Sequence, residues 1–246
     1  MQNVFKRYEK KYLITEAQYE SLIGDINQSI SPDDFGEYTV QNLYFDTDNW
    51  DIIRTSIEKP LYKEKMRLRC YDASERKQKL FLELKKKYRG IVYKRRVAIP
   101  EKQLHTDIID VVKQDATQIS QELSFHLLHN PVCEKMYLSH KRVAFKGVEE
   151  KGLRITFDRD IRYRVQALGF VKPDKGKVIL PPDIIVMEIK VTGGMPLWLT
   201  NALSKNRVFP RSFSKYGTCY ADYNGVGGRL TMLLKKGKVE ITSCLT

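Results

Sequence analysis

Arginine and lysine alternate with apolar residues in several segments that have the pattern of β-strands. Between Lys65 and Tyr71, the side chains of Arg67 and Arg69 would share one strand face, because successive side chains point to opposite faces. The same alternation places Lys85 with Lys87, Lys94 with Arg96, and His140 with Arg142. Guanidinium groups bind phosphate oxygens through paired hydrogen bonds, and ammonium groups add compact charge. These segments therefore predict a phosphate-binding surface.

A solvated polar face is the simpler interpretation of any one such strand, because antiparallel sheets often keep one face in water. The repetition over several strands favours a shared anion. The net charge of +13, from 43 basic and 30 acidic residues, is typical of a protein that binds nucleic acid, an anionic membrane or phosphate compounds. Charge alone does not choose among these partners.

Acidic residues accompany basic ones on several of these strand faces. The pairs are Glu9 with Lys11, Glu83 with Lys85, and Glu188 with Lys190. Carboxylates have the wrong sign to bind phosphate, but they are ligands that Mg²⁺ and Mn²⁺ prefer, and such ions bridge carboxylates to phosphates. The pattern therefore predicts a divalent metal beside the phosphate groups.

The four cysteines are widely spaced and form no C-x-x-C pair, which argues against a zinc or redox site. His126 and His129 are three residues apart on a predicted helix, but ordinary packing is favoured because no third ligand lies nearby in the sequence. The chain starts without the pattern of a secretory signal, and no apolar run is long enough to cross a bilayer. We expect a cytoplasmic protein without a transmembrane segment.

The pattern of apolar residues predicts a β-rich α+β domain. Strands are expected at residues 4–14, 40–47, 65–72, 79–87, 92–99, 136–147, 153–164 and 183–191. Helices are expected after the N-cap Thr15, over 101–130, over 196–206 and near residue 223, with a loop at 31–38. We expect one domain over residues 1–223 and a C-terminal tail over 224–246.

The predicted strands suffice for an antiparallel eight-stranded β-barrel with helices packed around it. If the basic faces point inward, such a barrel encloses a charged tunnel that is wide enough for side chains and a small ligand. Crowded cations there would need an anion to offset desolvation and mutual repulsion. A phosphate chain presents oxygens in every direction and suits a tunnel.

Nine short motifs in one order resemble the VTC (vacuolar transporter chaperone) domain. They are YEKKYLI, LYFDT, MRLRCY, LELKKK, YKRR, SHKRVAF, LRITFDRDI, VMEIKV and SFSKYG, and they extend from about Arg7 to Tyr223. This domain is the polyphosphate polymerase branch of the triphosphate tunnel metalloenzymes. The resemblance implies a cytoplasmic enzyme that transfers the γ-phosphoryl group of ATP to a growing polyphosphate chain, with no nucleic acid as partner.

The resemblance also implies a role for individual residues. The phosphate-binding residues would be Lys11, Arg67, Arg69, Lys85, Lys94, Arg142, Arg154, Ser214 and Lys215, of which Arg67, Arg69, Lys85 and Lys215 would be catalytic. Glu188 would bind Mn²⁺ or Mg²⁺. Eukaryotic relatives carry SPX and membrane segments that this sequence does not contain, so coupling to a membrane would need a separate partner.

The sequence differs from that of related enzymes at one position that affects the expected reaction. Related CYTH-type triphosphatases begin with E-x-E-x-K, whereas the corresponding positions here are Arg7, Glu9 and Lys11. The missing first glutamate favours a polymerase over a two-metal hydrolase. It leaves two roles open for Glu9, as a second metal ligand or as the partner of a tunnel lysine. A metal-dependent triphosphatase or polyphosphatase of the same fold, and a non-catalytic module that binds polyphosphate or RNA, are the alternatives.

Overall fold

The computed structural model describes residues 7–72, 79–89, 91–100, 108–113, 117–170 and 175–225. Within them the strands are β1 (Arg7–Thr15), β2 (Ile30–Asp46), β3 (Tyr62–Asp72), β4 (Lys79–Tyr88), β5 (Ile91–Ile99), β6 (Cys133–Gly147), β7 (Arg154–Arg164), β8 (Lys177–Val178) and β9 (Ile184–Thr192). The helices are α1 (Glu16–Ile26), α2 (Asp51–Ile57), α3 (Ile108–Lys113), α4 (Gln118–His129), α5 (Leu197–Lys205) and α6 (Lys215–Tyr223).

These strands form a large antiparallel sheet, and the α+β class is confirmed. Closure into an eight-stranded barrel remains a prediction. The chain divides into two compact units, the first from residues 1–37, 141–161 and 178–246 and the second from residues 38–140 and 162–177. The single domain expected over residues 1–223 also stays a prediction, and most of the expected tail lies outside the described residues.

The first unit pairs β1 with β9 and β9 with β7. Alternation along β9 directs Met187 and Ile189 into a core that also contains Tyr12, Leu22 and Phe157. The helices α1 and α5 cover this core through Leu22 and Leu199. The intervening residues of β9, Glu188 and Lys190, are therefore left to the polar face, as their alternation predicts.

The second unit arranges β2, β3, β4 and β5 in that order. Its core takes Met66, Leu68 and Cys70 from β3 and Leu80, Leu82 and Leu84 from β4, and it packs against α3 and α4. Met66, Leu68 and Cys70, which alternate with Arg67 and Arg69, therefore form the apolar face of β3. Because opposite residues of paired antiparallel strands share a face, the arginines of β3 and the odd-numbered lysines of β4 lie on the other side.

The predicted loop at residues 31–38 is wrong, because these residues belong to β2. Ser, Pro, Asp and Gly indicate a turn in the sequence. In the structure they continue a strand in which most of these residues are exposed, and Gly36 adopts the left-handed region at φ 61°, which glycine tolerates. The helix expected over 101–130 is two helices, α3 and α4, while 101–107 and 114–116 lie outside the described residues.

The sequence did not predict α2. Its N-cap position is Trp50, which has φ 63° and makes no side-chain cap. Instead the carboxylate of Asp46 accepts hydrogen bonds from the backbone N–H groups of Ile52 and Ile53, at 2.9 and 3.0 Å. The capping group therefore comes from the end of β2. No helix within the described residues is both long and apolar enough to span a membrane.

The N-cap predicted at Thr15 is confirmed, and this residue forms a capping box with Gln18. Thr15 Oγ1 accepts from the Gln18 N–H at 3.2 Å, and Gln18 Oε1 accepts from the Thr15 N–H at 3.1 Å. We expect Thr15→Ala to lower the free energy of unfolding by about 1 kcal/mol. Urea unfolding measures this change, and Thr15→Ser should restore most of it. Equal stability of Thr15→Ala and the parent would contradict the assignment.

Candidate functional site

The second unit contains a charged cluster around one buried carboxylate, which we call the Glu83 cluster (Arg67, Arg69, Glu83, Lys94 and Arg96). Glu83 on β4 lies opposite Arg67 on β3 and Arg96 on β5. Its side chain is 2% exposed, and its oxygens lie 2.8 Å from Arg67 Nη2, 2.7 Å from Lys94 Nζ and 3.1 Å from Arg96 Nε. Arg69 Nη1 is 3.8 Å away. Four cations thus share one carboxylate.

The electrostatics of this cluster follow from burial and charge. Burial raises the pKa of Glu83, but Arg67, Arg69 and Lys94 outweigh it and hold that pKa well below its usual value. Burial also lowers the pKa of Lys94, and Glu83 opposes this effect only in part. The carboxylate is therefore ionised at neutral pH, and the cluster has an excess of positive charge.

Neighbouring polar groups fix the two arginines of β3. Arg67 Nη1 donates to Tyr44 Oη at 3.0 Å, and Arg69 Nε donates to Asn42 Oδ1 at 2.8 Å. Asn42 is itself held by the carbonyl of Leu138 at 3.1 Å. These hydrogen bonds hold the guanidinium groups in place. Such preorganisation reduces the entropy that binding an anion would cost.

Lys85 lies beside this cluster on the same face of β4. It is directly opposite Lys65 on β3 and Lys94 on β5. Its side chain is half-buried, as is that of Lys65. Three ammonium groups therefore lie in one row across three strands.

The first unit contains a second group, the Glu188 cluster (Glu9, Lys11, Glu188 and Lys190). Lys11 is opposite Glu188 in the β1–β9 pair, and Glu9 is opposite Lys190. Lys190 Nζ lies 2.6 Å from Glu188 Oε1, and Lys11 Nζ lies 3.7 Å from Oε2 and 3.4 Å from Glu9 Oε1. Burial raises the pKa of Glu188, but Lys190, Lys11 and Lys215 outweigh it, so that pKa is held well below its usual value.

The same unit contains the Asp158 cluster (Arg142, Asp158 and Lys215). Asp158 is fully buried, and Arg142 donates to it from Nε at 2.6 Å and from Nη2 at 2.8 Å. Lys215 Nζ donates to the same carboxylate at 2.5 Å. Burial lowers the pKa of Lys215, and Asp158 opposes that shift.

Two further predicted residues lie in the first unit. Ser214 is the N-cap of α6, and its Oγ accepts from the Gly217 N–H at 3.2 Å, which holds Lys215 at the first position of the helix. Arg154 is exposed, lies opposite Lys190 in the β7–β9 pair, and contacts Asp33 at 3.1 Å. The structure thus brings Lys11, Glu9 and Glu188 together, and Arg142 with Lys215, whereas Arg154 contacts Asp33.

The carboxylates of the Glu188 cluster are the candidate ligands for a divalent metal. No group of three His, Cys, Asp or Glu side chains that could hold an ion occurs within the described part of the chain. Glu188 and Glu9 both contact Lys11, so two carboxylates approach one point. Mg²⁺ commonly binds one or two carboxylates and takes its other ligands from phosphates and water. The two glutamates fit an ion that arrives with phosphate.

Sequence reasoning missed Asp158 and the main contacts of Glu83. Asp158 shares a strand face with Arg154 and Thr156 through simple alternation, so the same pattern could have found it. In the sequence, Glu83 was grouped with the acidic residues that could bind a metal. In the structure, its two carboxylate oxygens contact Arg67 and Lys94. Its partners come from the two neighbouring strands, β3 and β5, and strand register is not readable from one segment alone.

A family model described as "VTC domain" matches residues 6–224 of the chain. Distant structural likenesses include the PH1819 protein of Pyrococcus horikoshii OT3, with 14% identity over 94% of this chain and 99% of that one and a TM-score of 0.45. Candidate adenylate cyclases from Vibrio parahaemolyticus (12% identity, 89% and 100% covered, TM-score 0.47) and Bacillus halodurans (13%, 84% and 92%, 0.47) are similar to a comparable degree. No curated protein matches the chain significantly.

Replacing Glu83 tests whether it holds the cations of its cluster together. At pH 7 we expect Glu83→Gln to lower the free energy of unfolding by about 3 kcal/mol, because a buried partner of several cations loses its charge. The pKa of Glu83 is lowered on folding, so its stabilisation is present above its unfolded pKa of about 4.3 and is lost as the pH falls below that value.

The measurement is urea unfolding at several pH values between 7 and 3, with Glu20→Gln on the exposed side of α1 as the control. The parent and the control should lose stability below about pH 4.3 more steeply than Glu83→Gln does. Parallel curves for all three proteins would show that Glu83 is not the titrating group.

Proposed function

The chain belongs to the VTC domain family, and from this premise we propose that it is an ATP-dependent polyphosphate polymerase. The observation that carries the proposal is the Glu83 cluster, where four cations share one buried carboxylate. This excess charge is held in fixed geometry and suits an anion with many oxygens. Arginine forks bind such oxygens in pairs, and lysine adds charge between them.

The proposed reaction transfers the γ-phosphoryl group of ATP to a polyphosphate chain. A terminal phosphate oxygen of the chain attacks the γ-phosphorus and forms a new P–O bond. The bond between this phosphorus and the β–γ bridging oxygen breaks, and ADP leaves with the electron pair. The attacking oxygen is already ionised at neutral pH, so the reaction needs no general base. Positioning and charge stabilisation supply most of the catalysis in phosphoryl transfer.

The residues have separate roles in this proposal. Arg67, Arg69, Lys85 and Lys215 stabilise charge on the reacting phosphates, and Lys11, Lys94, Arg142, Arg154 and Ser214 bind the rest of the phosphate groups. The ammonium group of Lys215 contacts Asp158. A phosphate oxygen would compete with that carboxylate for the same proton donors. Burial around Lys215 strengthens its interaction with either anion.

Glu188 would hold Mn²⁺ or Mg²⁺, with Glu9 as a second carboxylate. Such an ion, when bound, neutralises negative charge and polarises phosphoryl oxygens. Glu188 is ion-paired with Lys190 at 2.6 Å. The lysine therefore keeps the carboxylate ionised and oriented, and it would shift toward phosphate when the ion is bound.

Product analysis distinguishes the polymerase from its alternatives. The purified protein is incubated with γ-labelled ATP and Mn²⁺, and the products are separated on a gel. We expect a ladder of long labelled chains. Free phosphate or short oligophosphates alone would indicate a triphosphatase, in which water replaces the acceptor chain. Binding of ATP without turnover would indicate a non-catalytic phosphate-binding module, and a preference for RNA would overturn the substrate class.

The metal role of Glu188 has its own test. We expect Glu188→Gln to lower Mn²⁺-dependent turnover at least about tenfold, since loss of even an outer-shell partner of a metal ligand costs that much. The readouts are turnover as a function of Mn²⁺ concentration and direct Mn²⁺ binding in the presence of tripolyphosphate. Glu9→Gln, tested in parallel, measures the contribution of the second carboxylate. Full activity and unchanged Mn²⁺ binding of Glu188→Gln would exclude it as the ligand.

A further inference from the structure

One end of the sheet formed by β3, β4 and β5 exposes a group of apolar side chains. Of the sixteen large apolar side chains that are exposed within the described residues, six lie at the start of β3 and in the β4–β5 hairpin. We call this group the hairpin patch (Leu61, Tyr62, Tyr88, Ile91, Val92 and Tyr93). Contiguous exposed apolar patches mark interaction surfaces on soluble proteins. The proposed reaction uses none of these six residues.

Strand register makes the hairpin patch contiguous. Tyr88 on β4 is directly opposite both Tyr62 on β3 and Ile91 on β5, so these three side chains form one row across the sheet. Leu61 adjoins this row, because its backbone carbonyl accepts a hydrogen bond from the Arg89 N–H at 3.0 Å. The segment before β3 is therefore tied to the turn of the hairpin.

The row lies beyond the part of this sheet face that packs against α3 and α4. The preceding row contains Lys86 and Tyr93, and Lys86 Nζ lies 3.1 Å from Glu122 of α4. In the final row the three side chains are 45% to 58% exposed, and Tyr93 is 48% exposed. The apolar row therefore projects past the helix and into solvent.

Basic residues surround the hairpin patch. Residues 85–96 include seven lysines and arginines and no acidic residue. Val92, which alternates to the other face of the hairpin, lies directly opposite Lys87. The guanidinium carbon of Arg89 lies 5.4 Å from the centre of the Tyr88 ring. Apolar and positively charged groups are thus intermixed at this end of the hairpin.

This combination is complementary to the surface of an anionic lipid bilayer. Tyrosine is enriched where a bilayer meets water, because its ring is apolar and its hydroxyl group is polar. Aliphatic side chains gain free energy by leaving water for the acyl boundary, and nearby lysine and arginine attract anionic headgroups. The hairpin patch supplies all three kinds of group together.

Two other occupants match the hairpin patch less well. Single-stranded nucleic acid stacks its bases on aromatic rings, but the two most exposed members of the patch, Leu61 at 70% and Ile91 at 58%, are aliphatic. A symmetric dimer through this patch would bring two basic hairpins together, and their like charges would repel.

We propose that the hairpin patch attaches the protein peripherally to an anionic membrane surface. Leu61, Ile91 and the tyrosines enter the interfacial layer, and Lys87 and Arg89 lie against the lipid headgroups. The inference is independent of the proposed reaction. Because the patch and the Glu83 cluster share β3, β4 and β5, this attachment would bring the proposed site close to the membrane surface.

The test measures binding of the full chain to lipid vesicles by co-sedimentation. One set of vesicles contains phosphatidylcholine alone, and the other contains equal parts of phosphatidylcholine and phosphatidylglycerol. The apolar variant is Leu61→Ser/Ile91→Ser. Its matched control, Val148→Ser/Leu197→Ser, removes aliphatic side chains that are 57% and 74% exposed elsewhere. Thermal unfolding verifies that every variant is folded.

A second pair of variants tests the charges beside the patch. Lys87→Gln/Arg89→Gln removes two positive charges at the hairpin end, and Lys113→Gln/Lys151→Gln removes two from exposed positions on α3 and in a turn. All proteins are compared at several salt concentrations, because salt screens the attraction between exposed charges and headgroups.

We expect the parent to bind the mixed vesicles and to bind phosphatidylcholine at least about tenfold more weakly. The apolar variant should bind the mixed vesicles at least about tenfold more weakly than the parent, since burial of each aliphatic side chain contributes to binding. The charge variant should show a loss of about tenfold at low salt that diminishes as salt is raised. Both controls should bind as the parent does.

Three results would overturn the proposal. The first is no binding of the parent to the mixed vesicles. The second is parental binding by the apolar variant, which would show that net charge alone attracts the protein. The third is complete loss of vesicle binding in the presence of tripolyphosphate, which would place the lipid at the Glu83 cluster.

Single-stranded RNA provides a further comparison. Tighter binding of the parent to RNA than to the mixed vesicles, lost in the apolar variant, would assign the hairpin patch to nucleic acid and overturn the membrane proposal. The vesicle assay contains no ATP, so its outcome is separate from whether the protein forms polyphosphate. Failure of the polymerase proposal would leave the membrane contact standing, and the reverse also holds.

Discussion

Burial of single carboxylates among several cations is the interaction on which the charged faces of this protein depend. Glu83 and Asp158 are 2% and 0% exposed, and each contacts more than one basic side chain. A buried carboxylate without cations would carry a large desolvation cost, and the clustered cations without it would repel one another. Each group therefore makes the burial of the other tolerable. This mutual dependence allows several basic side chains to share one strand face.

The backbone arrangement follows from short-range patterns where side chains alternate strictly. Met66, Leu68 and Cys70 enter the core while Arg67 and Arg69 face away, as the period of two along a strand requires. The start of α1 at Thr15 was predictable for a similar reason, since an N-cap acts within three residues of the chain. Such features depend only on residues that are close in the sequence, so a single sequence is enough to predict them.

Other features depend on residues that are far apart in sequence or on unusual capping, and these were missed. The cap of α2 comes from Asp46, several residues before the helix. Asp158 acquires its role from Arg142 on β6 and Lys215 on α6, which no local pattern connects.

The family was recognisable because its motifs occur in a fixed order, but the roles of Arg67, Lys215 and Glu188 in catalysis remain predictions. The pattern of charges in the sequence shows which side chains could bind a phosphate. Turnover also depends on which acceptor molecule reaches the bound phosphate.

The internal carboxylates also shape how an anion would bind. Arg67, Lys94, Arg142 and Lys215 already donate to Glu83 or Asp158. A phosphate that approaches them therefore exchanges one set of charge-assisted hydrogen bonds for another, and the net gain is smaller than the number of contacts indicates. A single phosphate gains little from such an exchange. A chain of linked phosphates would add further contacts after the entropy of its first contact has been lost, so under the proposed function this arrangement favours polyanions over isolated phosphate.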